Sequence, residues 1–554
     1  MSAFCKRGAV VVAIATLLLG CATQRSDRID EVDLSAAPRE SQADTLRLLE
    51  QSSFGPTPQM VERVRRQGFA GYLDEQFRLR VSRMPELKPV DNDVNKFCEQ
   101  GDAGKLCKRD NYSQFPVQTR FFQNALTQPD QLRQRVAFAL GQIFVVSARK
   151  NNRSYAMARY QQLLLDDAFG NYRQLLADVT LSPMMGQYLD MANNDKLDPK
   201  RGVAPNENYA REVLQLFSVG LVQLNPDGSA KLAADGKALP TYGGDEIKEF
   251  ARAFTGWTYP SVPGVKPKPR NPGYFDGPLL PVAAGHDAGP KTLLGGQRIA
   301  GSSDPQRDLD AALENIFKHP NVGPFMARRL IQHLTTSNPG PDYIQRVSRV
   351  FDDNGRGVRG DLKAVVRAIL LDPSARGDVA TGAFGKLREP VLYITGVMRA
   401  LGAQSDGVDL IGQSAGMDEN VFVAPTVFNF FPPDYEVMGT GMNAPELAIV
   451  DSTTSLKRAD FAYRLIFGKP IAPDANVPGA TGTSLSLAAW EPLAADAGAL
   501  VDRLDALLLH QSLPAASRAA VLQAVQKLPP RDAAQRVKTA AYLIVAGPQY
   551  QIQH

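Results

Sequence analysis

The chain has 554 residues, of which 22% are charged and 44% hydrophobic; that balance fits a folded protein with a sizeable core and excludes a disordered one. Its 62 basic and 58 acidic residues leave a net charge of +4 with no Lys/Arg run, which removes the electrostatic case for binding nucleic acid or an anionic membrane surface. Four cysteines in such a length exclude a disulfide-dense scaffold.

Lys6 and Arg7, the apolar run Ala9 to Leu19, and Leu18-Leu19-Gly20-Cys21 read in that order as a secretory signal peptide over residues 1–20. The apolar part is too short to span a bilayer as a mature helix. A small residue before Cys21 is what lipoprotein processing requires, so Cys21 is the expected lipid-modified N-terminus; a secreted protein cut near Ala22 is the alternative. Ala22 in place of Asp favours passage to the outer membrane, facing the periplasm or the cell surface. Residues 21–42 are polar and suit a tether. No later apolar stretch reaches membrane length, so the lipid is the only membrane contact expected.

Cys98 and Cys107 bracket a flexible polar loop and are expected to pair in an oxidising compartment. Zinc is disfavoured, because two further ligands at metal spacing are absent nearby. Helical periodicity then recurs from end to end. Thr57-Pro58 supplies a cap and an N1 proline ahead of Met60, Val61 and Val64, with Gly68 ending that helix. Ile247, Phe250, Ala251 and Phe254 give a second helix, and Leu309, Leu313, Ile316 and Phe317 a third. Leu362, Val365, Val366, Ile369 and Leu370 form the clearest core-facing stripe, stopped at Asp372-Pro373. Strand signals are confined to short pieces near Lys291–Ile299. The predicted fold is all-α: a main body over 43–466, a surface linker over 467–493 and C-terminal helices over 494–554. Leu224–Gly243 and Tyr259–Ser303 are long loops of the kind that carry function or lack order.

Two polar strings are candidates for chemistry. In Pro205-Asn206-Glu207-Asn208-Tyr209-Ala210-Arg211-Glu212, Glu207 and Arg211 stand four apart and pair on one helix face, while Asn208 and Glu212 share the next. The helix start also favours an anion, although simple capping explains the same residues. In His286-Asp287-Ala288-Gly289-Pro290-Lys291, a His, a carboxylate and a Lys lie within six residues; His286 fits a general base or a metal ligand, and equally a packed turn residue. Asp190, Asn193, Asn194 and Asp195 form a weaker group, and Trp257 suits sugar stacking or core packing. His319 and His333 are assigned to packing. Hydrolase, zincin, phosphate-loop and dinucleotide signatures are missing, as is Cys-x-x-Cys-His, and no cofactor is indicated.

Phe54-Gly55-Pro56-Thr57, Asn206-Glu207-Asn208-Tyr209-Ala210-Arg211-Glu212, Ala253-Phe254-Thr255-Gly256-Trp257, His286-Asp287, Lys291-Thr292, Arg328-Arg329-Leu330, and Lys386 with Glu389-Pro390 follow one another as in the bacterial family called "domain of unknown function 1800", which the chain resembles from about residue 43 onward. The resemblance implies an all-helical exported protein, often encoded beside a second exported family that resembles the phosphatase and sulfatase fold. It carries no agreed activity. Many members have Trp-His-Asn-His-Phe where this chain has Leu140-Gly141-Gln142-Ile143-Phe144; the two histidine positions fall on Gly141 and Ile143, so no metal set is expected. Two functions follow as expectations. One is an envelope hydrolase or lyase acting on a cell-surface polysaccharide or polymer, with Glu207, Arg211, Glu212, His286, Asp287 and Lys291 as its catalytic group. In that site Asn206, Asn208, Asp190 and Trp257 bind substrate. The other is a lipid-anchored scaffold or partner of the phosphatase-like neighbour, in which the polar strings are buried and mutually satisfied.

Overall fold

The computed structural model describes residues 40–377 and 384–554. The leader, Cys21 and the tether up to residue 39 lie outside the described residues.

Helix boundaries follow the local chemistry. Thr57 accepts a hydrogen bond from Met60 N and Pro58 takes the first turn of the Pro58–Arg78 helix. Gly68, at φ 71°, interrupts that helix as its sequence predicts, but the chain restarts at once. The Glu40 carboxylate accepts from Phe69 N at 2.7 Å and caps the second half. The folded body therefore includes Glu40, and with Ser41 capping the Gln42–Ser52 helix the expected tether is shorter than residues 21–42. Asp361 caps Leu362–Leu371 through Ala364 N, and its stripe of Leu362, Val365, Val366, Ile369 and Leu370 is the buried side. The helix expected to begin at Pro205 begins at Asn208 instead.

Every residue of Pro390–Leu401 is buried, the signature of a helix packed on all sides; its one charged residue, Arg399, donates to the carbonyls of Gly55, Ala125 and Leu126. Gly402, in the left-handed conformation at φ 77°, ends it. Phe115–Thr127, Val408–Gly416 and Ala497–Leu508 pack around it. Phe54, Phe121 and Phe138 meet in edge-on or tilted contacts at 5.4, 5.6 and 5.7 Å, each ring contributing about 1.5–3 kcal/mol through burial.

Strands are two-residue antiparallel pairs on an otherwise helical body. Lys291–Thr292 pairs with Arg298–Ile299, where the sequence suggests strand, and Trp257–Thr258 pairs with Leu280–Pro281. Lys386–Leu387 pairs with Ile552–Gln553, so the last residues of the chain fix the position of Lys386. Cys98 and Cys107 form a disulfide with a Cα–Cα separation of 5.6 Å. The segment expected to be a linker packs on the body: Thr481 and Gly482 donate backbone N–H bonds to the Asp406 carboxylate at 2.9 and 2.6 Å. Residues Glu40–His554 thus form one compact unit. Among the described residues no helix is long and apolar enough to cross a membrane.

Candidate functional site

The Asn208–Gln215 helix buries Tyr209, Ala210, Val213 and Leu214, which turns Glu207 and Arg211 outward. Arg211 donates to Glu207 at 3.0 Å, with side chains 48% and 37% exposed; such a pair is worth about 0.3–0.5 kcal/mol. Glu212 is half-buried, and burial raises its carboxyl above the ordinary range while Arg211 partly offsets the rise. The asparagines work as brackets. Asn194 donates to Asn206 O at 3.1 Å and accepts from Asn206 N at 2.8 Å. Asn208 donates to Asp190 at 3.1 Å, and Lys150 donates to the same carboxylate at 2.6 Å. Asp190 and Asn206 line a polar groove of about 550 Å³ together with Lys150, Arg201 and Arg270.

The His286–Lys291 loop is sealed. Lys291 Nζ sits 2.5 Å from Asp308 Oδ2 and donates to the carbonyls of Asp287 and Gly289 at 2.5 and 2.9 Å. His286 Nδ1 lies 2.8 Å from Thr255 O and Nε2 lies 3.2 Å from Asp308. Asp287 is gripped by Arg252 at 2.8 and 3.0 Å, and that hydrogen-bonded guanidinium holds its carboxyl below the usual range. The side chains of His286 and Lys291 are both 0% exposed, and neither lines that groove or the cavities described below. Trp257 is 1% exposed and presents no face to a sugar. Gly256 explains why: at φ 80°, its Cβ would lie 2.8 Å from Val282 O and 2.7 Å from His286 Cβ, so only glycine admits this close approach. The two strings are joined through the Asn193–Lys196 segment, where Asn193 N donates to Trp257 O and Lys196 N to Gly285 O. They brace one another and do not converge on one concavity.

A different cluster is buried yet incompletely paired. The Gln131–Ile143 helix contributes Arg135 and Gln142, the Val322–Leu334 helix Arg329 and His333, and the strand 386–387 contributes Lys386. Glu389 sits at the N-cap of the buried central helix; Glu419 comes from a later turn and Glu446 from the short 3-10 helix Pro445–Ile449. All three carboxyl groups are within 2% of complete burial. Lys386 Nζ is 3.0 Å from Glu446 and 3.8 Å from Glu389, and Gln142 donates to Glu389 at 2.6 Å. Burial pushes Glu446 above the ordinary carboxylate range, opposed by Lys386 and reinforced by Glu389. Glu419 lies well above that range, first through burial and then through the charge of Glu389 and the hydrogen bond between them. His333 is held well below its usual value by burial and by Lys386, Arg135 and Arg329, and so stays neutral.

Glu446, Gln142, His333, Arg329 and Asn429 line a small chamber of about 40 Å³ whose walls include Ile143, Val427 and Phe431. At its rim Phe428 is 41% exposed. Glu446 Oε2, Gln142 Oε1 and Asn429 Nδ2 are buried without a hydrogen-bond partner in the protein, as Trp257 Nε1 is in the brace. Unpaired buried polar atoms are costly and concentrate where a ligand or chemistry completes them. His333, assigned to packing from its sequence context, is thus part of the chamber. Lys386, Glu389, Glu419, Asn429 and Glu446 were not singled out as a site, and the available signal was Glu389-Pro390 beside Lys386. Among the described residues no three His, Cys, Asp or Glu side chains converge in a metal-binding group.

A family model described as "Protein of unknown function (DUF1800)" matches residues 47–552. The chain belongs to this family. No curated protein and no solved structure matches it. The positions at which the resemblance places two histidines in many family members, Gly141 and Ile143, flank Gln142; Ile143 lines the chamber itself.

A wider groove of about 840 Å³ runs beneath the extended segment 83–89 and is lined by Asp167 and Asp178. Burial, then the charge of Asp178 and a hydrogen bond with it, push the Asp167 carboxyl from 3.8 up to about 7. A raised carboxyl favours the protonated fold, so its contribution is full below pH 3.8 and is lost as pH rises through about 7. Asp167→Asn is expected to flatten the fall in melting temperature across that window. Parallel pH profiles for variant and parent would show that the pair is unperturbed.

Proposed function

We propose that the protein is an envelope lipoprotein, anchored through Cys21 at the outer membrane, that acts as a hydrolase or lyase on a cell-surface polysaccharide or related polymer. In this reading the acid–base chemistry belongs to the Glu446 chamber and not to the helix start at Glu207. The supporting observation is that Glu446, a buried carboxyl with Lys386 3.0 Å away, lines that chamber. Glu446, raised by burial, passes its proton to the departing oxygen as the bond to it breaks. Lys386 at 3.0 Å steadies the carboxylate that forms. In the hydrolytic case water adds its hydroxyl to the other fragment, and its remaining proton restores Glu446. Glu389 and Glu419 act behind it as positioning residues, the first oriented by Gln142 and the second by Val391 N.

The test incubates the mature chain with purified envelope polysaccharides and peptidoglycan and measures new reducing or unsaturated chain ends. Release by the parent protein is the expected result; no release from any polymer removes the enzymatic reading. A second reading, a non-enzymatic partner of an exported phosphatase-like protein, is favoured by an apolar hairpin tip next to the chamber, where Met438 is 97% and Met442 42% exposed.

A further inference from the structure

Two side chains of the Val322–Leu334 helix, Arg329 and His333, line the chamber; four residues apart, they share one helix face. His333 keeps 9% of its surface exposed. Among the described residues nothing hydrogen-bonds either of its ring nitrogens, and neither nitrogen is sealed from solvent. Burial and the cations Lys386, Arg135 and Arg329 keep the ring neutral, so its unprotonated nitrogen is a free base. Arg329 donates to Gln332 at 3.2 Å and lies over the Phe325 ring. Burial works against its charge, and Asp434 offsets this only from a distance. Among the described residues no carboxylate stands within ion-pairing distance of it. A largely buried guanidinium without a counter-ion is unfavourable, and an anionic group in the chamber relieves it. The free volume is about 40 Å³; on a scale where one water takes roughly 10–15 Å³, that is room for about three heavy atoms. A carboxylate has that size, whereas a tetrahedral phosphate or a whole sugar ring exceeds it.

We propose that the chamber takes the carboxylate of a uronic acid unit, and that the protein cleaves uronate-bearing polysaccharide by β-elimination with His333 as the base. This rests on the reading of the chamber as an acid–base site, and it selects lyase over hydrolase. Arg329 holds the carboxylate, which brings the ring carbon bearing it to the chamber mouth. A carboxylate neutralised by a guanidinium stabilises negative charge on that carbon and so acidifies its hydrogen. The bound anion also strengthens the imidazole's hold on a proton, which the cations alone weaken. His333 takes the hydrogen as a proton. The electron pair left behind forms a double bond to the neighbouring carbon, whose bond to the glycosidic oxygen breaks. Glu446 gives its proton to that departing oxygen. Exchange with solvent then unloads His333 and reloads Glu446, so no water is added and nothing is oxidised or reduced overall. The other groups of the chamber cannot replace the base: Arg329 keeps its proton, and Glu446 is the acid.

The experiment incubates the mature chain with polygalacturonate, alginate and hyaluronan, and with the carboxyl-reduced form of each. Reducing ends are counted, and unsaturated uronate ends are followed by their ultraviolet absorbance. One unsaturated end per reducing end is expected from at least one of the acidic polymers, and neither from its carboxyl-reduced form. His333→Gln is expected to lower that turnover by about 10²–10⁴-fold with its melting curve kept, and Arg329→Gln to raise KM for the acidic polymer about tenfold or more. The product analysis uses the parent protein alone and decides the matter even where a variant fails to fold. No unsaturated ends from any of the three, equal cleavage of the carboxyl-reduced polymer, or parental turnover in a folded His333→Gln overturns the proposal. Reducing ends without unsaturation, from these or from other envelope polymers, leave the enzymatic reading standing and remove only the elimination; no release from any polymer removes both.

Discussion

A Lys386→Met variant is expected to lose about 3–5 kcal/mol of folding stability, seen as a lower urea midpoint at unchanged slope. Lys386 is 3% exposed and stands 3.0 Å from Glu446 and 3.8 Å from Glu389, with the buried Glu419 carboxyl close enough to feel the charge of Glu389. Without the ammonium, three buried carboxyl groups keep only Arg135 and Arg458 as nearby counter-charges, and Arg458 already donates to Arg388 O at 2.8 Å and Gln551 at 3.0 Å. The loss grows as pH rises, because ionising a carboxyl next to the missing cation is what costs; at low pH, with the carboxyls protonated, variant and parent converge. Adding Glu446→Gln to Lys386→Met removes one of the stranded charges and is expected to recover much of the loss. A single variant within about 1 kcal/mol of the parent would show that the cluster carries no net ionic dependence.

The second large effect lies in the brace. Asp308 accepts from Lys291 at 2.5 Å and faces His286 Nε2 at 3.2 Å, with every partner buried. Asp308→Asn leaves the Lys291 ammonium with carbonyl partners only, at a cost of about 3–5 kcal/mol. The expected consequence is local as well as global, because the loop 259–303 is held by these bonds and by the Arg252–Asp287 pair. Hydrogen exchange should therefore accelerate first across that loop and at Trp257, ahead of the central helix. Replacing both partners, Lys291→Met with Asp308→Leu, removes the charges together and is expected to cost less than either half alone. Uniform exchange throughout the chain in Asp308→Asn would argue that the loop is not an independent unit.

The contrast between these two clusters explains what the sequence could and could not reveal. Helices such as Leu362–Leu371 were legible because their apolar stripe, cap and stop signal lie within a dozen neighbouring residues. The disulfide was legible because both cysteines bracket one short loop. The polar strings around Glu207 and His286 drew attention through their local density. That density is what bracing long loops requires: Asn194 and Asn206 clasp each other, and Gly256 makes room for His286. The chamber gave no such signal. Its members run from Arg135 to Glu446, and each looks ordinary in place: Glu389 the residue ahead of a helix-starting proline, Glu446 the residue after one, His333 a helical neighbour of leucines. Only tertiary packing removes their solvent and brings their charges together.

The location of the chemistry is the central claim, and one comparison of rates tests it most directly. Envelope polymer is supplied in excess, and chain-end release is followed for the parent, Glu446→Gln and Glu207→Gln, each checked for an unchanged melting curve. Loss of the chamber's acid–base group is expected to lower turnover by about 10²–10⁴-fold, while Glu207→Gln, which removes an exposed pair, leaves it within about twofold. Parental turnover in Glu446→Gln, or a collapse confined to Glu207→Gln, would contradict the assignment.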